Sequence, residues 1–208
     1  MFHNGFKKRI PQQSIKPHQS NQFTPYIIMK ALKSKFKELW HENINSSSKL
    51  EFYKLVKSEF GKELYLDTVQ NYKDRTSLTQ LRISAHRLEI ELGRRNGIPR
   101  QDRICKWCNF NSSTKEIGDE SHFLNTCNAN DIIRNNLATK AKGLLNDHQH
   151  PTPQQPNQLD IIQLTNFSSQ LLKPVSPENR AHLCRTTARY VRNAFANRKK
   201  FMESLKAP

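Results

Sequence analysis

No apolar run in this chain is longer than Tyr26 to Met29, far short of the roughly twenty residues that a membrane-spanning helix needs, so no membrane partner is expected. No stretch alternates with period two for long enough to argue for a sheet, and no internal repeat marks a solenoid. Only 35% of the 208 residues are hydrophobic, beside six glycines, ten prolines and many Asn, Gln and Ser. The expected core is therefore modest, and part of the chain is expected to be disordered. No hydrophobic signal segment opens the sequence, so an oxidising compartment is not expected and an intracellular one, nuclear or cytoplasmic, is.

Cysteine is also scarce, and its placement is informative. Three of the four cysteines lie in R-I-C-K-W-C-N-F-N-S-S-T-K-E-I-G-D-E-S-H-F-L-N-T-C, where Cys105 and Cys108 form a C-x2-C pair and His122 and Cys127 an H-x4-C pair. Two thiolates on a tight knuckle, completed by a His and a Cys from a second element, are the ligand set of one tetrahedral zinc ion. The alternative is buried free thiols beside a surface histidine. It fits poorly, because the stretch 109–121 is too polar to make a core and would have nothing but a metal to offset its ordering entropy. Four protein ligands close the coordination sphere, so the zinc is expected to be structural. Asp119 and Glu120 read as a solvated acidic loop: deaminase chemistry would need a His-x-Glu pair and a second Cys pair, which the chain lacks.

Net charge is +16, and it flanks this segment. Residues 1–60 carry 11 basic and 4 acidic side chains, residues 61–104 carry 9 and 6, and residues 161–208 carry 9 and 2, against 2 and 3 in residues 105–130. Such flanks attract phosphates through counterion release, although many basic proteins owe only solubility to their charge.

Residues 1–23 read as a disordered basic arm. A helical region is expected over 24–145, with the zinc knuckle at 103–128 inside it. Thr24-Pro25 opens a helix whose face carries Ile28, Leu32, Phe36 and Leu39. Ser46 to Ser48 cap a second helix, with Phe52, Leu55, Val56 and Phe60 on it and Gly61 as its stop. A third, capped by Ser77, runs through Leu78, Leu81, Ala85, Leu88 and Leu92 to Gly93, with Arg82, Arg87, Arg94 and Arg95 off its apolar face. Asn130 or Asp131 starts another, through Leu137 and Ala141. Residues 146–158 read as a Pro-rich linker and 159–208 as a C-terminal helical segment. In that segment Ser176-Pro177 caps a helix to about Leu205. Its apolar face holds Ala181, Cys184, Ala188, Val191 and Phe195, Cys184 being a buried thiol. The opposite stripe, Arg185, Arg189 and Arg192, suits phosphate binding or is a solvated face.

Together, Arg82-x-Ser84-x-His86-x-Leu88-x-Ile90-Glu91-x-Gly93-Arg94, Arg103-x-Cys105-x2-Cys108 and Asp119-Glu120-x-His122-Phe123-Leu124-x2-Cys127 resemble the tail that follows the reverse transcriptase domain of non-LTR retrotransposons. The likeness covers about residues 75–135. It implies zinc binding by Cys105, Cys108, His122 and Cys127 and a role in holding RNA or DNA. The polymerase's paired aspartates and the Pro-Asp motif of an associated nuclease are absent, so no enzymatic activity is expected. His86 is expected to serve helix packing.

The sequence thus reads as mainly α, a small helical module around a CCHC zinc knuckle with a disordered basic N-terminal arm. Its expected function is non-catalytic binding of single-stranded RNA or DNA with one structural Zn2+. Phosphates are expected at Arg94, Arg95, Arg100, Arg103 and Lys106, and at Arg185, Arg189 and Arg192. Trp107, with Phe110 after it, either stacks on bases or covers a small core around the metal. The rival readings are a protein-interaction scaffold in which zinc only staples helices, and a non-functional retroelement fragment.

Overall fold

The computed structural model describes residues 24–57, 59–145, 160–167, 172 and 174–206. The expected arm, 1–23, and the expected linker, 146–158, lie outside the described residues. Helices dominate: α1 (Thr24–Ser46), α2 (Glu51–Val56), α3 (Leu64–Thr68), α4 (Tyr72–Arg82), α5 (Glu89–Arg95), α6 (Lys106–Ser112), α7 (Glu120–Asn125), α8 (Asp131–Leu145), α9 (Ile161–Thr165) and α10 (Pro177–Ser204). Among the described residues the only extended pairing is an isolated antiparallel bridge between Ile104 and Ile117.

The described residues divide into two units, one ending at Leu39 and the other beginning at Trp40. In the first, Ile28, Leu32, Phe36 and Leu39 of α1 are exposed, so the face expected to pack is not part of a core. In the second, α10 packs against α3, α4, α8 and α9. It can do so closely because its buried face is built mainly of small and medium side chains, Cys184, Thr187, Ala188, Val191 and Ala194, at steps of three and four. Leu78 and Leu81 of α4, Tyr65 of α3, Leu137 and Ala141 of α8 and Leu164 of α9 complete the core. Each fully buried leucine contributes about 1.5–3 kcal/mol relative to an exposed one. Ser176 caps α10 as expected, accepting from the Asn179 N–H at 3.2 Å with Pro177 in the first turn.

The second expected helix is shorter than the pattern implied: α2 ends at Val56, and Leu55 and Phe60 are exposed. The third divides in two. Asn71, not Ser77, caps α4, accepting the Asp74 N–H at 3.1 Å. That helix stops at Arg82 because Ser84 turns left-handed, at φ 50°. The Ala85 N–H then reaches the Gln80 carbonyl at 2.8 Å and the Ser84 N–H the Leu81 carbonyl at 3.2 Å. This is a Schellman stop with serine where glycine is usual. Gly93 ends nothing. It lies inside α5, whose stop is Gly97 (φ 68°), with the Ile98 N–H on the Gly93 carbonyl at 2.9 Å.

Arg82, expected to project away from the apolar face, is among the most deeply buried side chains of the core. Its guanidinium donates to the Val56 carbonyl at 3.0 Å, to Glu63 Oε1 at 2.9 Å and to the Thr165 carbonyl. It also lies 5.5 Å from the ring centres of Tyr65 and Phe167. One cation thus ties α2, α4 and α9 together, each of its partners removing a polar atom that the core could not leave bare.

Candidate metal centre

Two short elements present the four candidate ligands. Cys105 precedes α6 and Cys108 sits in its first turn, while His122 lies in α7 and Cys127 just beyond it. The Ile104–Ile117 bridge closes the knuckle, the Cys105 N–H reaching the Glu116 carbonyl and the Gly118 N–H the Arg103 carbonyl, both at 2.8 Å. Gly118 is required there: a Cβ would come 2.9 Å from that of Glu89 and 3.1 Å from the Cys105 Cα.

The four ligand atoms are buried and lie within 4.8 Å of one another. Cys105 and Cys127 Sγ are 3.9 Å apart, Cys108 and Cys127 Sγ 3.9 Å, and Cys108 Sγ and His122 Nε2 3.3 Å. A tetrahedral ion with metal–sulfur bonds of about 2.3 Å sets sulfur–sulfur edges of about 3.8 Å, so the arrangement can hold a metal ion. The Thr126 hydroxyl donates to the His122 carbonyl at 3.5 Å and lies 3.0 Å from His122 Nδ1, so its oxygen is placed to accept from Nδ1 and leave Nε2 facing the sulfurs.

Backbone N–H groups favour thiolates here: that of Cys108 points at the Cys105 sulfur, that of Asn128 at Cys108 and that of Ala129 at Cys127. The hydrogen bond from Cys127 holds the Cys105 thiol well below its ordinary range, against the effect of burial. Cys127, bonded to that thiolate, is raised, and burial raises Cys108. A bound cation would make ligands of all three, since the thiolate is the ligating form.

Asp119 and Glu120 are not a solvated loop. Asp119 caps α7, accepting the His122 N–H at 2.9 Å. Glu120 is buried, and its Oε1 accepts from the Ser84 hydroxyl at 2.7 Å and from His86 Nε2 at 2.9 Å, His86 Nδ1 in turn accepting the Leu88 N–H at 3.3 Å. Burial raises the Glu120 carboxyl, but the His86 and Ser84 hydrogen bonds outweigh it and leave a net lowering. Serine and histidine both engage the carboxylate and not each other, so the trio braces the link between α4 and α5 against α7 and is not arranged as a nucleophile with its base. Its members stand too far apart in sequence for spacing to have revealed it; the Ser-x-His and Asp-Glu pairs of the resemblance were the only signal.

The expected phosphate contacts separate into two sets. Arg94 grips Glu91 with both nitrogens, at 2.8–3.2 Å. Arg100 pairs with Glu51 at 3.0 Å and Asp119 at 3.5 Å, and Arg103 donates to the carbonyls of Ile90 and Ile98 at 3.0 and 2.9 Å. These three arginines line one cavity of about 490 Å3, together with Glu51, Glu91, Asp119 and Glu120. Arg192 pairs with Asp74 at 2.8 Å, and Arg189 is 4.0 Å from it. Arg95, Lys106 and Arg185 are exposed and have no ion pair among the described residues. Trp107 is occupied internally, its ring 4.6 Å from that of Phe201, whereas Phe110 is 69% exposed. Cys184 is buried, and burial pushes its thiol up to about 12.

Fold and site together define a mainly helical protein with a buried Cys3His group able to hold a metal ion. Compared with protein-family models, curated proteins and solved structures, the chain matches none. No described helix is long and apolar enough to cross a membrane.

Proposed function

We propose that this protein is a non-catalytic, zinc-stabilised nucleic-acid-binding module of retroelement origin. The observation that carries the proposal is the set of three sulfurs and one imidazole nitrogen within 4.8 Å of one another, with three of its edges at 3.3–3.9 Å. Soft thiolates and a closed four-ligand sphere favour zinc in a structural role over a metal that must keep a position open for substrate. Ser84, His86, Glu91, Arg94 and Glu120, which lie in the stretch that resembles retrotransposon tails, engage one another in two short sets of hydrogen bonds near this knuckle. Such mutual dependence supports reading the segment as one inherited unit.

In this reading the metal acts at a distance. It fixes the knuckle, and the knuckle holds the C-terminal half of α10 through Trp107 against Phe201 and Phe123 stacked on Phe195 at 4.9 Å. Attraction for phosphates comes from the net charge of +16. Elemental analysis of the purified protein tests the metal: about one zinc per chain is expected. Cys105→Ser or Cys127→Ser should lose it and unfold the knuckle. A zinc content near zero, with folding indifferent to chelator, would overturn the reading.

A second reading, a protein-interaction scaffold, is favoured by the exposed Ile28, Leu32 and Phe36 on α1 and by the internal use of Trp107. Salt separates the two, because phosphate binding weakens steeply as salt rises and apolar helix contacts do not.

A further inference from the structure

Between the start of α5 and the end of α10 lies a groove of about 540 Å3. Phe195, Lys199 and Met202 share one face of α10 at steps of four and three and form one wall with Lys206, while Arg87 and Leu92 form the other. Leu92, Phe195 and Met202 give it an apolar floor, and Arg87, Lys199 and Lys206 are exposed cations around it. The acidic member of the lining is Glu203, 3.8 Å from Lys199 in an exposed pair that costs little to break. Arg198, at the base, is already neutralised by Glu89 at 2.7 Å and also donates to the Arg87 carbonyl at 3.0 Å, fastening the two walls together. On the back of the same helical segment, Phe201 meets Trp107 of the knuckle.

The cavity beside the knuckle is different, since its arginines are engaged by acids or carbonyls. We propose that the α5–α10 groove binds a single strand of nucleic acid, phosphates on Arg87, Lys199 and Lys206 and bases against Leu92, Phe195 and Met202. The inference rests on the nucleic-acid reading above and gives it a surface. A strand is favoured over other polyanions because the apolar floor lies inside a concave, cationic rim. Unpaired bases can turn their faces to such a floor; a duplex keeps its base faces stacked, and a membrane surface cannot enter.

Fluorescence anisotropy of the zinc-loaded full chain with labelled oligouridylate and oligothymidylate, each of about twelve nucleotides, tests the groove. Arg87→Gln, Lys199→Gln and Lys206→Gln together should weaken binding at least tenfold and reduce the slope of log affinity against log salt by about 2, at about 0.7 per phosphate lost. A knuckle control, Lys115→Gln, should change neither, and a 4-thiouridine crosslink should map to Phe195 or Met202. All of these residues are at the surface or half-buried, and far-ultraviolet circular dichroism with zinc content verifies folding of each variant. Equal binding by the groove variant, or loss in the knuckle control alone, overturns the groove while leaving the nucleic-acid reading intact. Preference for a duplex of the same length, or for vesicles of anionic lipid, also overturns it. No binding of either oligonucleotide by the parent protein at about 50 mM salt rejects the nucleic-acid reading itself. The two oligonucleotides distinguish RNA from DNA.

Discussion

Trp107, set between two of the candidate metal ligands, meets Phe201 near the end of α10 edge-on, with ring centres 4.6 Å apart. The pair couples a knuckle with little apolar surface of its own to the last turns of a long helix, beyond the Phe195 stack on Phe123. Phe201→Ala should therefore cost about 3 kcal/mol in urea-induced unfolding of the zinc-loaded protein. Amide exchange should rise mainly beyond Phe195 and in α6. A loss spread evenly over the core, or none, would show that the contact does not hold the two together.

Arg82 gives the sharpest stability prediction. Arg82→Ala would strip partners from Glu63 and from the Val56 and Thr165 carbonyls at once, so a loss of about 3–5 kcal/mol in urea unfolding is expected. Arg82→Lys should recover only a minor part, because an ammonium cannot span three acceptors in a plane.

Gly93→Ala should also destabilise. A Cβ there would come 2.7 Å from the Arg103 Cδ, and Arg103 cannot move aside without loosening its bonds to Ile90 and Ile98. A cost of about 1–3 kcal/mol is expected, measurable in the thermal midpoint. Shortening Arg103 should let the alanine fit if crowding is the cause, whereas the strain of a helix-stop glycine would persist, so the double variant with Arg103→Ala distinguishes the two.

Cys184 should resist alkylation by iodoacetamide at pH 8 in the folded protein and react at once in denaturant, as peptide mapping would record. Burial raises its thiol from about 9 to about 12, so folding favours the neutral form. The resulting stability is fully present below about pH 9 and is lost as the pH rises through about 12. Cys184→Ala should remove that part of the alkaline slope.

Much of this molecule is legible in one dimension. The Cys-x2-Cys and His-x4-Cys spacing picked out the four side chains that the fold gathers into a group able to hold a metal ion, because ligand chemistry permits few residue types and short loops permit few separations. The period of three and four in α8 and α10, with Ser176 and Pro177 at the start of α10, sufficed to place both helices, since capping and amphipathicity are local. What sequence could not decide was where such periodicity would be overruled. Leu78 to Leu92 reads as one helix, yet Ser84 takes a left-handed turn because its hydroxyl, like the His86 ring, is held by Glu120 thirty-odd residues along the chain. Arg82 reads as solvated, yet it is buried, because the carbonyls and the carboxylate that accept from its two terminal nitrogens come from segments that only folding brings near. Whether a cation stays free for a partner follows the same rule. Arg94, Arg100 and Arg103 meet acids or carbonyls in the folded chain whereas Arg87 pairs with none among the described residues, and for a charged side chain the neighbours in space, not those in sequence, set what it is left to bind.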